Sequence, residues 1–259
     1  GGNDYLSLDN GYGKQMIEGF DHIQLGDGAH ATLDMTTPNM DYGNLTVAGI
    51  YNWSGGTQGT NAGTTTIAAG ANLNITGAVN LNRRIDNYGT TTWTGTGDIR
   101  SSGGASSVVF DNKAGAQFLI QNDQTIQGDG GGAEVVINAG LLRKTVASGT
   151  TTVTGVVDFN NTTSGVVEVQ TGTLQIDGFS GGTNSGVIAL AAAATLGTNG
   201  SALLNAAGGI IRGNGTLNLA AATLSNDGLI APGAASGTTI GTLSITGNLA
   251  NNAGGTIEA

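Results

Sequence analysis

Asparagine and glycine recur as a spaced pair along most of this chain, and the interval between copies restricts the fold more than any other feature of the sequence. Asn, a short spacer, then Gly is found at Asn61/Gly63, Asn87/Gly89, Asn112/Gly115, Asn138/Gly140, Asn161/Gly165, Asn184/Gly186, Asn205/Gly208, Asn226/Gly228 and Asn252/Gly254. The asparagines follow one another at 26, 25, 26, 23, 23, 21, 21 and 26 residues, a mean near 24. An antiparallel sandwich built from hairpins sets its turn signals roughly every 8–12 residues. An interval near 24 instead fits one coil of a solenoid, with three short strands and three turns per coil.

The residues between the turns carry the period of two that marks a strand with one buried face. From 72 to 82, Leu73, Ile75, Gly77, Val79 and Leu81 alternate with Asn72, Asn74, Thr76, Ala78, Asn80 and Asn82. Val153, Gly155, Val157 and Phe159 repeat the pattern, as do Leu243, Ile245, Gly247 and Leu249. The position two before the Asn is apolar at Ile85, Phe110, Val136, Phe159, Leu203 and Leu224. No stretch has helical periodicity, and Ala191 to Ala194 is too short to nucleate a helix. The pattern predicts an all-β chain, a right-handed parallel β-helix (β-solenoid) of three short strands and about 24 residues per coil. Gly is expected to supply positive φ at the corners. Asn at equivalent places in successive coils is expected to stack as an amide ladder. About nine coils, with two more before them, would build a rod of roughly 50 Å at about 4.8 Å per rung. Residues 1–60 are less regular and read as irregular coils continuous with the regular solenoid of 61–259. The whole is expected to be one elongated domain, cut from a longer chain.

Composition supports an ordered rod. Hydrophobic residues make up 38% of the 259, so apolar surface is ample for a core, while 47 glycines and two prolines suit many tight turns. Charged residues are only 10%, and eight Lys and Arg against 18 Asp and Glu leave a net charge of −10. A nucleic-acid backbone needs clustered cations, so no nucleic-acid partner is expected, and an anionic membrane surface is disfavoured for the same reason. No run of about 18 apolar residues exists to cross a bilayer, so no membrane insertion by this segment is expected. The opening residues are not expected to be a signal peptide. Cysteine is absent, which removes thiolate metal sites and redox motifs.

Few residues suggest chemistry. His22 and His30, near Asp21, Asp27 and Asp34, are the only histidines; they match no catalytic spacing and read as polar residues on turns and outer faces. Gly1-Gly2-Asn3-Asp4-Tyr5-Leu6 resembles half of a calcium-binding Gly/Asp nonapeptide, but such sites need tandem copies. Asp86, Asp98 and Arg100 with Arg83 and Arg84 would make a charged groove if the coils brought them together, the kind of carboxylate pairing that cleaves or binds polysaccharide. The runs Thr64–Thr66, Thr90–Thr92 and Thr150–Thr152 begin at one place in their coils on this register, a partial Thr array of the sort that orders water on an ice-binding face. Their simpler meaning is the β-propensity of Thr. No catalytic, cofactor-binding or metal residue is assigned, and no cofactor is expected.

The run from Phe159 to Ile176, FNNTTSGVVEVQTGTLQI, resembles repeats of large bacterial autotransporter and filamentous-haemagglutinin-like surface proteins. Asn226 to Gly233 followed by Gly241 to Gly247 is similar to the passenger-associated repeat of autotransporters, and the opening six residues also suit that group. The likeness spans about residues 60–259. It implies a secreted or outer-surface bacterial β-helix with structural or adhesive roles. Together these features lead to an expectation of a non-enzymatic rod or filament. It would associate with itself end to end or laterally, and possible partners include surface glycans. The alternatives are a polysaccharide-binding or polysaccharide-degrading module and, last, an ice-binding face.

Overall fold

A computed structural model of the chain describes residues 44–59, 63–101, 108–128, 134–233 and 241–258, and among the first 43 residues the backbone of four short strands. The described residues contain strands and turns and no helix. All pairings between the strands are parallel, each strand with its counterpart one coil away. The chain is a β-solenoid with roughly 23 residues per coil.

Each coil has three faces. The first face is the strand that ends on the recurring Asn, as in Arg84–Asn87, Glu134–Asn138 and Val157–Asn161. The second follows the Asn turn, as in Thr90–Trp93, Leu141–Lys144 and Val166–Val169. The third completes the coil, as in Thr125–Gly128, Thr150–Val153 and Thr173–Ile176. Twelve strands stack along the second face, from Asp4–Ser7 to Thr256–Ile257. The short N-terminal strands join these ladders in register: Asp4–Ser7 pairs with Ala31–Met35, and His22–Leu25 pairs with Asn44–Val47.

The period of two places the aliphatic residues inside. Leu73, Ile75, Val79, Leu81, Ile85, Val153, Val157 and Phe159 are all buried. Parallel register then stacks like on like. Trp53, Ile75, Trp93 and Ile120 form one inward column of the second face.

The asparagines form the expected ladder, in a corrected register. Asn87, Asn112, Asn138, Asn161, Asn184, Asn205, Asn226 and Asn251 stand one above another at the end of the first face. Each Nδ2 donates to the Oδ1 of the next at 2.7–2.9 Å. The steps are 25, 26, 23, 23, 21, 21 and 25 residues. The last rung is Asn251, not Asn252, which begins the following turn. Asn61 lies outside the described residues, and the rung of that coil is Ile67, with Val47 below it. Aliphatic residues thus start the column and asparagines continue it.

The second hydrogen of most of these amides goes to a backbone carbonyl one coil on, as from Asn112 to Leu141 O and from Asn138 to Val166 O. Both donors of a buried Asn are thereby satisfied, which removes the desolvation cost of an amide inside the rod.

The turn after the ladder position alternates between two lengths. Two residues separate it from the second face at Val47, Asn87, Asn138, Asn184 and Asn226; four do so at Ile67, Asn112, Asn161, Asn205 and Asn251. Each long turn is closed by a hydrogen bond from its last N–H to the carbonyl three residues back, as Gly165 to Thr162 at 2.9 Å and Gly209 to Ala206 at 2.7 Å. The short turn nests on the long one. A Cβ on Gly186 would lie 2.3 Å from both Gly165 O and Thr162 O. The expectation of positive φ at the corners holds in the long turns at Gly70, Gly115 and Gly208, with φ of 82°, 84° and 86°, and at other corners such as Gly172 and Gly200. At Gly140, Gly165, Gly186 and Gly228 the requirement is close approach of one coil to the carbonyls of the coil before.

Candidate functional site

The charged groove expected from sequence does not assemble. Arg84 and Asp86 point outward on the first face, whereas Asp98 and Arg100 form their own ion pair at 3.2 Å on the third. Arg83 is buried. The coil register instead brings Asp111 over Asp86, and Lys113 joins them. Arg84 contacts Asp86 at 2.8 Å and Asp111 at 2.5 Å; Lys113 contacts Asp111 at 2.5 Å and Asp86 at 3.2 Å. The Lys113 ammonium also lies over the Tyr88 ring, 5.7 Å from its centroid. Two cations and two carboxylates balance. The hydrogen bond to Asp86 leads the effects that hold the Arg84 guanidinium above its ordinary value. Burial pushes Lys113 down, but Asp111 and Asp86 together outweigh it and raise it. Carboxylates held in this way clamp two neighbouring coils together.

Two polar networks lie inside the rod. Gln58 donates to Tyr51 Oη at 3.0 Å and accepts from Thr65 Oγ1 at 2.7 Å, with all three residues buried. Lys144, with 0% exposure, donates to Asn122 O at 2.8 Å, Asp123 Oδ1 at 2.7 Å and Thr151 Oγ1 at 3.0 Å. A buried ammonium requires such partners. Glu134 is different. It is 3% exposed, and among the described residues neither carboxylate oxygen has a hydrogen-bond partner. It lines a cavity of about 30 Å³ together with Ser101, whose hydroxyl is likewise unpartnered. That space is enough for about one water.

The three threonine runs do not form one array. Thr64–Ile67 is on the first face, Thr90–Trp93 on the second and Thr150–Val153 on the third. A register read from the Asn–Gly pairs alone misplaced the first and third runs; the outward Thr column that the register does build is Thr150, Thr173, Thr195 and Thr216 on the third face. Of the N-terminal candidates, His22, Asp4 and Asp34 lie in strands whose backbone alone is described; Asp21, Asp27, His30 and the Gly1-Gly2-Asn3 turn fall outside the described residues. Among the described residues no three carboxylates or histidines converge as metal ligands, and no helix is long and apolar enough to cross a membrane.

The outer surface of the second face carries a feature that sequence inspection passed over. Leu141, Val166, Val187, Ile210 and Leu229 occupy one outward column on five successive coils. The neighbouring outward column reads Arg143, Glu168, Ala189, Arg212 and Ala231. Arg143 Nε bonds Glu168 at 2.8 Å; Arg212 has no ion-pair partner among the described residues. A hollow of about 300 Å³ opens here, lined in part by Val166, Glu168, Ala189 and Arg212. The signal was present in sequence, since each stripe residue is the first of the strand following the Asn turn. It becomes readable only when the two turn lengths are known. Likewise Asp111 lies one 25-residue step beyond Asp86, which is how Lys113 and Asp111 escaped notice.

Comparison of the chain with protein-family models, with curated proteins and with solved structures finds no match.

Proposed function

We propose that this chain is a length of rigid rod in an extracellular bacterial surface or matrix protein, structural and adhesive in role and without catalysis. The observation that carries the proposal is the unbroken ladder of eight asparagines, buried over most of its length and bonded rung to rung. Such a ladder fixes coil on coil and leaves little freedom to bend, which suits a spacer or filament that presents its flanks. The repeat likeness to autotransporter passengers and filamentous haemagglutinins points the same way. So does the use of the described charges: Arg84, Lys113, Asp86 and Asp111 clamp neighbouring coils, and the Arg143–Glu168 pair links two more. A weakly charged outer face makes contacts worth about 1 kcal/mol each, and many copies in a row add them by avidity.

Antibody raised to the purified chain should label the outside of intact source cells or their matrix in immunogold electron microscopy. Label confined to the cytosol would sink the surface role. Incubation with acidic and neutral polysaccharides should release no new reducing ends; turnover would move the assignment to a polysaccharide-degrading module.

A further inference from the structure

We infer that two copies of this solenoid pair side by side and antiparallel through the second face, about a two-fold axis that runs along the strand Val187–Leu190. The inference deepens the rod proposal by naming a lateral partner, a second copy of the chain.

The aliphatic column is symmetric about its centre. Val187 lies in the middle, with Val166 and Ile210 one coil away on either side and Leu141 and Leu229 two coils away. Polar residues bound it at equal distance, Gln117 three coils before and Thr256 three coils after. An axis along the central strand sets each coil opposite the coil the same number of steps away in the other direction. The stripe then meets itself, aliphatic against aliphatic.

The second column decides the direction. In the antiparallel arrangement Glu168 faces Arg212 of the other copy, twice by symmetry. Arg143 faces the small Ala231, and Ala189 meets its own equivalent on the axis, where close approach is needed. Every large side chain of this column thus has a small or oppositely charged one across from it. A parallel arrangement about the rod axis would turn one column onto the other. Arg143 would then press on Leu141 and Glu168 on Val166, which strands charges on apolar surface. Arg212 lacks an ion-pair partner among the described residues of its own chain, and the antiparallel pair supplies one.

Five rungs at about 4.8 Å by about 13 Å of strand give on the order of 300 Å² of flat contact per copy. A standard interface takes about 800 Å² per partner, so the pair is a weak one, with dissociation on the order of 0.1 mM. Along a longer rod or an array it would be repeated.

Sedimentation equilibrium on the purified chain tests this. The wild type should show reversible dimerisation. Glu168→Arg and Arg212→Glu should each weaken it at least tenfold, because like charges then face each other twice. An equimolar mixture of the two variants should associate again to within about threefold of wild type, since both cross-pairs become complementary. Far-UV circular dichroism establishes that each variant is folded. The absence of cysteine gives an independent probe that does not depend on charge. Val187→Cys, on the axis, should form an intermolecular disulfide on oxidation, whereas Leu141→Cys, facing a coil four rungs or about 19 Å from its own equivalent, should not. A wild type that stays monomeric up to about 1 mM overturns the pairing. So does a mixture no better than its components, or a Leu141→Cys disulfide as efficient as that of Val187→Cys, which would mark a parallel pair. Because these measurements use the isolated chain, the pairing can fail while surface labelling still supports the rod.

Discussion

Replacing Asn161 with Leu separates the ladder bonds from mere burial. Asn161 Nδ2 donates to Asn184 Oδ1 at 2.7 Å and to Val187 O at 3.3 Å, and its Oδ1 accepts from Asn138 at 2.9 Å. Leu fills nearly the same space but takes away both ladder contacts. Asn184 Oδ1 loses its ladder donor, and one hydrogen of Asn138 Nδ2 loses its acceptor, both with no water at hand. Each stranded group costs about 1–3 kcal/mol. Burying the leucine side chain returns about 1–2 kcal/mol. The net loss should be about 2–4 kcal/mol. Two controls use the same chemistry elsewhere on the ladder. Asn251→Leu, on the exposed last rung, strands only part of Asn226 and should cost under about 1 kcal/mol. Asn87→Ile lengthens the aliphatic start formed by Val47 and Ile67; on the ladder it strands only Asn112 Oδ1, and beside it the Gly89 N–H and Gln117 O lose their Asn87 partner, so it should fall between the two. Urea unfolding followed by far-UV circular dichroism gives all three values, with the slope checked for constancy. If Asn161→Leu and Asn251→Leu differ by less than about 0.5 kcal/mol, satisfaction of buried amides is not what holds the coils in register.

Four further variants have outcomes set by packing and charge. Gly186→Ala should cost more than about 2 kcal/mol because its Cβ meets two carbonyl oxygens at 2.3 Å. Gly115→Ala, which has open space but a φ of 84°, should cost only about 1 kcal/mol of backbone strain in the same unfolding assay. Glu134→Leu should raise the thermal midpoint, worth about 1–3 kcal/mol, because it removes a buried carboxylate with no partner among the described residues; a fall in the midpoint would show that the carboxylate has a bound partner. Lys113→Met should lower stability by about 1 kcal/mol at neutral pH. Because the folded Lys113 is held above its ordinary value, that contribution is complete below the ordinary lysine range and is lost as pH rises through the raised value. The gap between wild type and variant should therefore close in alkali, measured by denaturation across a pH series.

The backbone plan was legible in the sequence because two short periods overlap there. Alternation of Leu73, Ile75, Val79 and Leu81 assigns the buried side, and the Asn interval assigns the coil. What escaped was phase. Gly115, Gly208 and Gly254 sit one residue before the position that packs on the previous coil, so matching Asn to the nearest Gly slips the count at those three long turns, though not at Asn161/Gly165. Asn251 and Asn252 both satisfy the motif, so local pattern alone does not choose between them as the rung. The three threonine runs were assigned to one face because Gly63 and Gly89 both precede a Thr triplet, although only Gly89 follows a ladder rung. The outer clamp of Arg84, Asp86, Asp111 and Lys113 depends on register across coils, which local patterning does not carry. Lys144 and Glu134 fall on inward positions by simple alternation, but a charged residue in a core is the assignment that composition rules argue against.

The alternation of short and long turns gives the rod a parity. Its true period is two coils, odd and even, each shaped to receive the other. A segment copied or removed as a pair restores every nested contact at the join, whereas a single coil added or lost sets two long turns, or two short ones, face to face. Such a rod changes length in steps of about 46 residues, and a lone-coil deletion should unzip from the mismatched seam.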